Sequence, residues 1–366
     1  MREGWEYKTI EKCTSIEYGT RVVQKRDGGT IYPVYGGGGE TFRMDRYNRE
    51  DCLIIARFAM SPRCVRYVAG KFFLNDSGLS VKSKEELEQA YLNYHLLFFN
   101  DVIYHLGKGA AQRNLDVKAF RQLVIAIPPK PTQLSIVSEL DKLNELIRIK
   151  KEQLKDYDTL AQSIFYEMFG DPVENEKGWE VKKLKDISRT IGDGLHGTPE
   201  YSELDTGWYF INGNNLENGC ISIKSTTKKV TDFVRKKYYV EMDDFTLLVS
   251  INGTLGKSAF YNGENVILGK SACYIKLNKD VNKLFIYEII RGEYFKRYAE
   301  SVCTGTTIRN VSLKAMREFP IIYPPLSLQH SFAQKIEQIE QQKAAIQKTI
   351  TDLETLLAAR MQYWFD

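Results

Sequence analysis

Apolar side chains recur in alternating steps of four and three residues along two long stretches of this chain. The two series share one register at a separation of 196 positions. Such a stripe is typical of a coiled-coil seam. The positions expected to pair the helices are Ile136, Leu140, Leu143, Ile147 and Leu154 in the first series, and Phe332, Ile336, Ile339, Ile346, Ile350, Leu353 and Leu357 in the second. No proline or glycine occurs from Thr132 to Phe169, which predicts a helix about 57 Å long at 1.5 Å per residue.

We expect these two helices to pair antiparallel, with a globular domain at each end, so that helix length sets the distance between the domains. Alternatively, each stripe packs against its own domain. Lys150 and Lys343 interrupt the seams at non-equivalent positions. They could fix the register of the pair, or their stems could cross the edge of the seam while their ammonium groups stay in water.

The chain contains an internal duplication. Trp5-Glu6-Tyr7-Lys8 recurs 174 positions later as Trp179-Glu180-Val181-Lys182. From Gly109 and Gly305 onward the offset is 196, with Pro-Pro-x3-Gln in both copies and 15 identities in the 61 positions of 109–169. The second copy therefore carries 22 more residues before its fixed part, which indicates a variable domain followed by a constant helix, twice.

Between the helices, short apolar runs alternate with dense glycine and asparagine turns. Residues 53–56 and 246–250 are predicted to be buried strands, whereas 87–99 and 283–300 are predicted to be helical. The fold class expected is α+β: two domains with mixed, mostly antiparallel sheets, separated by two long antiparallel coiled-coil helices in a pseudo-two-fold duplication. The predicted boundaries are 1–126 for the first domain, 127–170 for the first helix, 171–322 for the second domain and 323–366 for the second helix.

Composition narrows the class of protein only slightly. The 51 Lys and Arg residues against 47 Asp and Glu give a net charge of +4, which does not by itself require nucleic acid. Six scattered cysteines without a CxxC pair, and four histidines, form no zinc pattern. The longest apolar runs are far too short for a membrane span, so a reduced, cytoplasmic protein with no membrane partner is expected.

Several catalytic motifs fail on inspection. Gly256-Lys257-Ser258 and Gly269-Lys270-Ser271 resemble the end of a phosphate-binding loop, but Ile251 and Glu264 stand where its first glycine is required. Neither Pro-Pro pair follows Asp or Asn, so the motif of amino-methyltransferases is absent. The repeated Trp-Glu-x-Lys is interpreted as the start of a strand. We therefore expect no catalytic or metal-binding residue in this chain.

The remaining candidates suit DNA, because Arg and Asn side chains can read base edges while Lys mostly binds phosphates. The DNA-binding candidates are Arg57, Arg63, Arg66, Lys71 and Arg113 in the first domain, and Asn252, Thr254, Lys257, Lys270 and Arg309 in the second. A basic run at 228–237 could also face DNA. For each of these residues the alternative is an ordinary solvated charge.

The order of these elements resembles the specificity subunit of type I restriction–modification enzymes. The resemblance rests on the duplicated Pro-Pro-x3-Gln and long helix, on the Trp-Glu-x-Lys starts, and on the segments 32–39 and 250–257. It implies that each domain reads half of a split target in double-stranded DNA. It further implies that the helices carry two DNA methyltransferase subunits, and that restriction and translocase subunits join them.

The same resemblance implies that this chain holds no cofactor, since S-adenosylmethionine, ATP and magnesium would belong to the partner subunits. Three alternatives stay open from the sequence. One is the DNA-recognition component of a type II-like restriction–modification enzyme, and another is a component with hidden nuclease or methyltransferase chemistry. The third is a coiled-coil scaffold that does not bind DNA.

Overall fold

The structure is a computed structural model that describes residues 2–109, 112–303 and 309–366. The chain divides into two compact units. The first comprises Met1–Glu152 and Gln347–Asp366, and the second comprises Gln153–Ile346. Each long helix thus contributes one part to each unit.

The first unit is built on a sheet of strand order β2-β7-β5-β6-β3-β4, in which the β3–β6 pair is parallel and the other neighbouring pairs are antiparallel. Two-stranded pairs β1–β10 and β8–β9 accompany it. The strands are β1 Glu6–Thr9, β2 Thr14–Tyr18, β3 Tyr32–Gly36, β4 Gly39–Met44, β5 Arg49–Ala56, β6 Val65–Leu74, β7 Gly78–Ser83, β8 Gly107–Lys108, β9 Asn114–Leu115 and β10 Val124–Ile127. The helices are α1 Ile10–Cys13, α2 Gln24–Asp27, α3 Gln89–Phe98, α4 Asn100–His105, α5 Val117–Arg121 and the long α6 Lys130–Phe169, which continues into the second unit.

The second unit contains two four-stranded sheets, of order β12-β21-β18-β19 and β13-β17-β14-β20, with one parallel pair, β14–β20. Its strands are β11 Glu180–Lys183, β12 Ser188–Gly192, β13 Tyr201–Ser202, β14 Tyr209–Ile211, β15 Leu216–Glu217, β16 Cys220–Ile221, β17 Lys229–Val230, β18 Thr246–Ser250, β19 Ser258–Phe260, β20 Val266–Leu268, β21 Ala272–Leu277 and β22 Pro320–Tyr323. The helices are α7 Asp232–Tyr238, α8 Lys283–Arg291, α9 Glu293–Val302, α10 Leu313–Glu318 and the long α11 Leu326–Phe365, whose end belongs to the first unit.

The predicted mixed, mostly antiparallel α+β architecture is confirmed. The Trp-Glu-x-Lys segments do begin strands, since β1 pairs antiparallel with β10 and β11 pairs in the same way with β22. Both strand predictions are confirmed as well, and β18 has the predicted bounds. The single helix expected over 283–300 is wrong, because Gly292 adopts extended backbone and separates α8 from α9.

In the first unit the two long helices pack antiparallel. The Arg360 guanidinium of α11 makes an ion pair with Glu139 of α6, and Lys151 Nζ lies 2.7 Å from Glu354 Oε1, so positions rise along one helix as they fall along the other. Trp364 Nε1 also donates a 3.2 Å hydrogen bond to Glu139. The pairing expected from the seam is therefore present in this unit.

Antiparallel contacts also join the parts of α6 and α11 in the second unit. Phe165 and Phe332 stack edge to face with ring centres 5.7 Å apart, and Lys343 Nζ lies 2.9 Å from Asp158 Oδ1. The Lys343 side chain is only 19% exposed. Its ammonium group is thus held by a carboxylate of the facing helix, and the alternative of a head in open water is wrong for this lysine.

All seam positions predicted to pair the helices are buried or half-buried. The alternative, packing against the adjoining domain, also holds for the first turns of each helix. Ile136 and Leu140 belong to the core of the first unit together with Phe365 from the end of α11. Phe332 belongs likewise to the core of the second unit with Phe169 from the end of α6. Each domain core therefore includes the start of one long helix and the end of the other.

Within the described parts of the chain, no helix combines the length and the apolar character that a membrane crossing needs. All six cysteines are free thiols.

Candidate nucleic-acid interface

A loop leaves the first domain's sheet where β5 ends, and backbone hydrogen bonds hold it in place on two sides. The Arg57 amide donates to the Ser77 carbonyl oxygen at 2.8 Å. The Leu115 amide donates to the Arg57 carbonyl oxygen at 2.9 Å, and the Met60 amide donates to that of Arg113 at 2.8 Å. The loop after β5, the turn before β7 and the segment that includes Arg113 are thereby joined at one edge of the domain.

The second domain repeats this hydrogen-bond framework where β18 ends. The Ile251 amide donates to the Ser271 carbonyl oxygen at 3.1 Å. The Val311 amide donates to the Ile251 carbonyl oxygen at 2.8 Å, and the Gly253 amide donates to that of Arg309 at 2.9 Å. Arg113 and Arg309, equivalent in the sequence repeat, thus occupy equivalent places in the two frameworks.

A serine hydroxyl completes each framework. The Gly37 amide donates to Ser77 Oγ at 3.1 Å in the first domain, and the Gly213 amide donates to Ser271 Oγ at 3.0 Å in the second. Neither glycine has room for a side chain: a Cβ on Gly37 would lie 2.2 Å from the Phe58 carbonyl oxygen, and a Cβ on Gly213 would lie 2.1 Å from Ser250 Oγ. Sequence reasoning missed both serines, although each lies 20 residues after its partner at the strand end.

An asparagine from the constant segment supports each loop. Asn114 Oδ1 accepts a 3.2 Å hydrogen bond from the Ala59 amide, and Ala59 has a φ of +49°. In the second domain Asn252 forms an isolated antiparallel bridge with Asn310. A left-handed alanine is strained, and such strain is found at binding loops that the surrounding structure holds firmly.

Four arginines of the first domain surround its framework. Arg57 lies over the Phe58 ring with its guanidinium carbon 4.3 Å from the ring centre, and Arg63 is exposed. Arg66 Nη2 donates to the carbonyl oxygens of Gly37 at 3.1 Å and Arg63 at 2.7 Å, so this side chain ties the glycine turn to the loop.

Arg113 Nη1 donates a weak, 3.4 Å hydrogen bond to the Tyr104 carbonyl oxygen, and its guanidinium lies over the Tyr104 ring. No ion pair among the described residues neutralises any of the four arginines. The first domain thus presents uncompensated positive charge at this edge.

Lys71 is placed differently from these arginines. It is an exposed residue of β6 that faces Glu50 of β5, and its ammonium group lies 4.7 Å from the centre of the Tyr47 ring. The hydrogen bond with Tyr47 raises the pKa of Lys71. In the described part of the chain no hydrogen bond connects Lys71 to the loop that includes Arg57 and Arg63.

The candidates of the second domain lie on the loop after β18 and just after β20. Asn252 and Lys257 are half-buried, whereas Thr254 is exposed. Lys270 is exposed, and its amide donates a 3.0 Å hydrogen bond to the Leu195 carbonyl oxygen. Neither lysine belongs to an ion pair among the residues that the structure describes.

Arg309 differs from Arg113, because its Nη1 lies 3.1 Å from Glu300 Oε1. Its charge is partly neutralised, so the second domain is less positive at this point than the first. Residues 110–111, which follow Gly109 in the repeat, and residues 304–308, which precede Arg309, lie outside the described residues.

The candidate interface offers hydrogen-bond donors and positive charge. Burial raises the pKa of the Cys64 thiol, beside the first loop, to about 11, so no reactive thiolate is present there. No cluster of metal-ligating side chains occurs among the described residues. Exposed guanidinium, ammonium and amide groups on a rigid framework can contact phosphates and base edges.

A family model described as the type I restriction modification DNA specificity domain matches residues 3–156 and 176–355. The two matched segments fall on the two copies of the repeat and cover most of the chain. The chain belongs to this family. It is a DNA-recognition subunit of a type I system and a component without catalytic activity of its own, rather than a type II-like component or a scaffold that does not bind DNA.

Two curated relatives are similar over much of their length. A putative type I restriction enzyme specificity subunit from Haemophilus influenzae is 23% identical over 351 residues, which covers 92% of this chain and 87% of that protein. The MjaVIII specificity subunit from Methanocaldococcus jannaschii is 21% identical over 299 residues, with 74% and 70% covered.

Solved structures share the fold. The S subunit of a type I restriction-modification system from M. genitalium has a TM-score of 0.57 and 17% identity, with 99% of this chain and 96% of that one covered. A chain from a study of complex assembly and conformational transition of the type I R-M system has a TM-score of 0.60 and 16% identity, with 99% and 97% covered.

Proposed function

We propose that residues 1–126 and 171–322 are two target-recognition domains, each reading one half of a bipartite site in double-stranded DNA. The observation that supports this most strongly is the duplicated framework at Arg57 and Ile251. Two backbone bonds and the glycine–serine contact recur at equivalent positions in both domains, and a third backbone bond recurs with its donor shifted by one residue, although the side chains between them differ. A constant frame with variable side chains suits two readers of different sequences.

Within each reader, the residue types divide the work. Arginines 57, 63 and 113 can donate two parallel hydrogen bonds to guanine, and Asn252 can do the same to adenine. Lys257 and Lys270 suit phosphates, which fix orientation without selecting sequence. Arg66 has a positioning role, because its Nη2 donates to the carbonyl oxygens of Gly37 and Arg63.

The long helices are the proposed attachment site for two DNA methyltransferase subunits, with restriction and translocase subunits joining that assembly. S-adenosylmethionine, ATP and magnesium are then needed by those partners. Family membership supports this composition of the complex.

The test compares two charge-neutral variants in the complex with the methyltransferase of the same operon, Arg57→Gln/Arg63→Gln and Lys257→Gln/Lys270→Gln. The first should relax the methylated motif in one half only, since each base-reading contact is worth about 1–3 kcal/mol of discrimination. The second should weaken binding to all sequences and lower the salt slope by about 2, as expected for two phosphate contacts.

Lys279→Gln is the matched control. Lys279 follows the end of β21, so it lies at the opposite end of this strand from Lys270 and Ser271, which precede its start. Unchanged affinity, salt slope and motif for both double variants would remove these loops from the interface.

A further inference from the structure

The second domain contains an insertion relative to the first, and the two matched frameworks locate it. Gly37 and Gly213 are equivalent through their serine contacts at an offset of 176, whereas Arg57 and Ile251 are equivalent at 194. Between these points the second domain therefore has 18 more residues than the first. The insertion falls in the stretch that includes β15 to β17 and α7.

Helix α7 lies in this stretch, and one of its faces is anchored in the domain. Thr231 caps its start by accepting a hydrogen bond from the Val234 amide at 3.4 Å. Val234 is buried in a cluster with Ile267 of β20, and Tyr238 packs on that cluster. Since β20 leads directly to Lys270, α7 rests on the sheet that supports one of the proposed DNA-contacting residues.

The opposite face of α7 is exposed, apolar at one point and positively charged around it. Phe233 is 65% exposed, and Lys236 and Lys237 lie three and four positions further on, which places all three on one side of the helix. The Lys237 ammonium group lies 5.7 Å from the Phe233 ring centre. Lys228, before β17, is exposed as well.

Two other cations near α7 are paired with carboxylates. Lys229 pairs with Asp205 at 3.1 Å, and Arg235 pairs with Asp232 at 3.3 Å. No ion pair among the described residues involves Lys228, Lys236 or Lys237. The exposed face therefore carries uncompensated positive charge around a solvated aromatic ring.

We propose that this α7 face, formed by Lys228, Phe233, Lys236 and Lys237, is an additional DNA-contacting surface of the second domain. The lysines bind phosphates, and the Phe233 ring packs on an apolar part of the duplex between them. Charge complementarity favours DNA as the occupant, because a duplex carries one negative charge per about 1.7 Å of its axis. The first domain lacks the insertion, so the second half-site should have the longer footprint.

This inference rests on the proposed function, since it extends the contacts of a domain that binds DNA. The test uses the full chain and a labelled duplex of random sequence, with binding titrated over a series of sodium chloride concentrations. Lys236→Gln/Lys237→Gln should lower the slope of log affinity against log salt by about 2, at about 0.9 per phosphate contact. Lys12→Gln/Lys279→Gln, two exposed lysines outside α7 and outside the long helices, is the matched control and should leave the slope unchanged.

Phe233→Ala separates the apolar contact from the charges: it should weaken binding while the salt slope stays as in the wild type. If the wild type binds DNA and neither α7 variant differs from it, the α7 face does not contact DNA. This inference is then overturned, while the proposed function still holds. A wild-type chain that binds no duplex would contradict the proposed function itself.

Discussion

Gln133 Nε2 donates a 2.9 Å hydrogen bond to the carbonyl oxygen of Pro128, from the first turn of α6 back to the Pro-Pro that precedes it. Gln133 Oε1 also accepts from the Glu88 amide at 2.8 Å. In the second repeat Gln329 Nε2 donates to Pro324 at 2.9 Å, and its Oε1 accepts from the Asn282 amide at 3.0 Å. The repeated Pro-Pro-x3-Gln is thus a structural latch that fixes where each long helix leaves its domain.

Replacing either of these two glutamines with Leu should destabilise the unit that contains it. Both glutamines are at most 1% exposed, so Gln133→Leu or Gln329→Leu leaves buried backbone groups without partners, at a cost of about 1–3 kcal/mol. Urea denaturation followed by circular dichroism measures the loss. Gln338→Leu, an exposed position on α11, is the control and should change stability by less than about 0.5 kcal/mol. Equal effects at buried and exposed positions would argue against the latch.

The ion pair of Asp158 with Lys343 should contribute to helix pairing in the second unit. Burial alone would raise the pKa of Asp158, but the hydrogen bonds and charges of Lys343 and Arg291 outweigh it and hold that pKa below its usual value. A double-mutant cycle with Asp158→Asn and Lys343→Met should give a coupling of about 0.5–1 kcal/mol at neutral pH.

The sign of the pH dependence follows from that lowered pKa. The Asp158 contribution is complete above the ordinary aspartate pKa of about 3.9 and is lost as pH falls through the lower folded value. The stability difference between wild type and Asp158→Asn should therefore shrink in acid. A difference that grows below pH 4 would contradict this assignment.

His95 predicts a different acid sensitivity, in the first unit. Its Nε2 accepts a hydrogen bond from the Ala126 amide, its Nδ1 has no partner among the described groups, and burial lowers its pKa to about 4. Between about pH 6.5 and 4 the imidazole binds a proton in the unfolded chain but not in the folded unit. The free energy of unfolding should therefore decrease by about 1.4 kcal/mol for each unit by which the pH is lowered in this range.

The residue equivalent to His95 in the second domain indicates a suitable substitution for testing this acid sensitivity. The amides of Glu88 and Asn282 donate to Gln133 and Gln329, so these two residues are equivalent, at an offset of 194 positions. The same offset makes Ile289 the residue equivalent to His95. His95→Ile should remove the loss of stability between pH 6.5 and 4, measured by urea denaturation at several pH values. A variant that keeps the wild-type pH dependence would show that another group causes it.

Arg63 and Arg66 should behave differently despite their proximity. Arg66→Gln removes the donors that hold the carbonyl oxygens of Gly37 and Arg63, so it should lower both thermal stability and DNA affinity. Arg63→Gln should lower affinity alone, because its side chain is exposed. Melting temperatures and binding titrations of the two variants check this. Equal melting temperatures would contradict the positioning role of Arg66.

The long helices were predictable to within a few residues, because the seam period and the absence of proline and glycine depend only on local sequence. The break at Gly292 was not, since a lone glycine inside an apolar pattern is often tolerated in a helix. The charged partner of Lys343 was also beyond prediction, because it depends on how α6 and α11 align.

The positions of the candidate loops at the ends of strands were predictable, but the contacts that join these loops to other segments were not. Arg57 and Ile251 follow recognisable strands, whereas Ser77 and Ser271 reach them only through the pairing of strands in the sheet. Arg309 looked equivalent to Arg113, yet Glu300 partly neutralises it. Such pairings depend on contacts between distant segments, which a single sequence does not show.

The central claim is that the two frameworks read two half-sites independently. Replacing residues 1–126 with the corresponding domain of a relative, and sequencing the methylated DNA of a strain that expresses the whole operon, tests it most directly. The account predicts that one half of the methylated motif changes while the other half is retained. A motif that changes in both halves, or in neither, would contradict it.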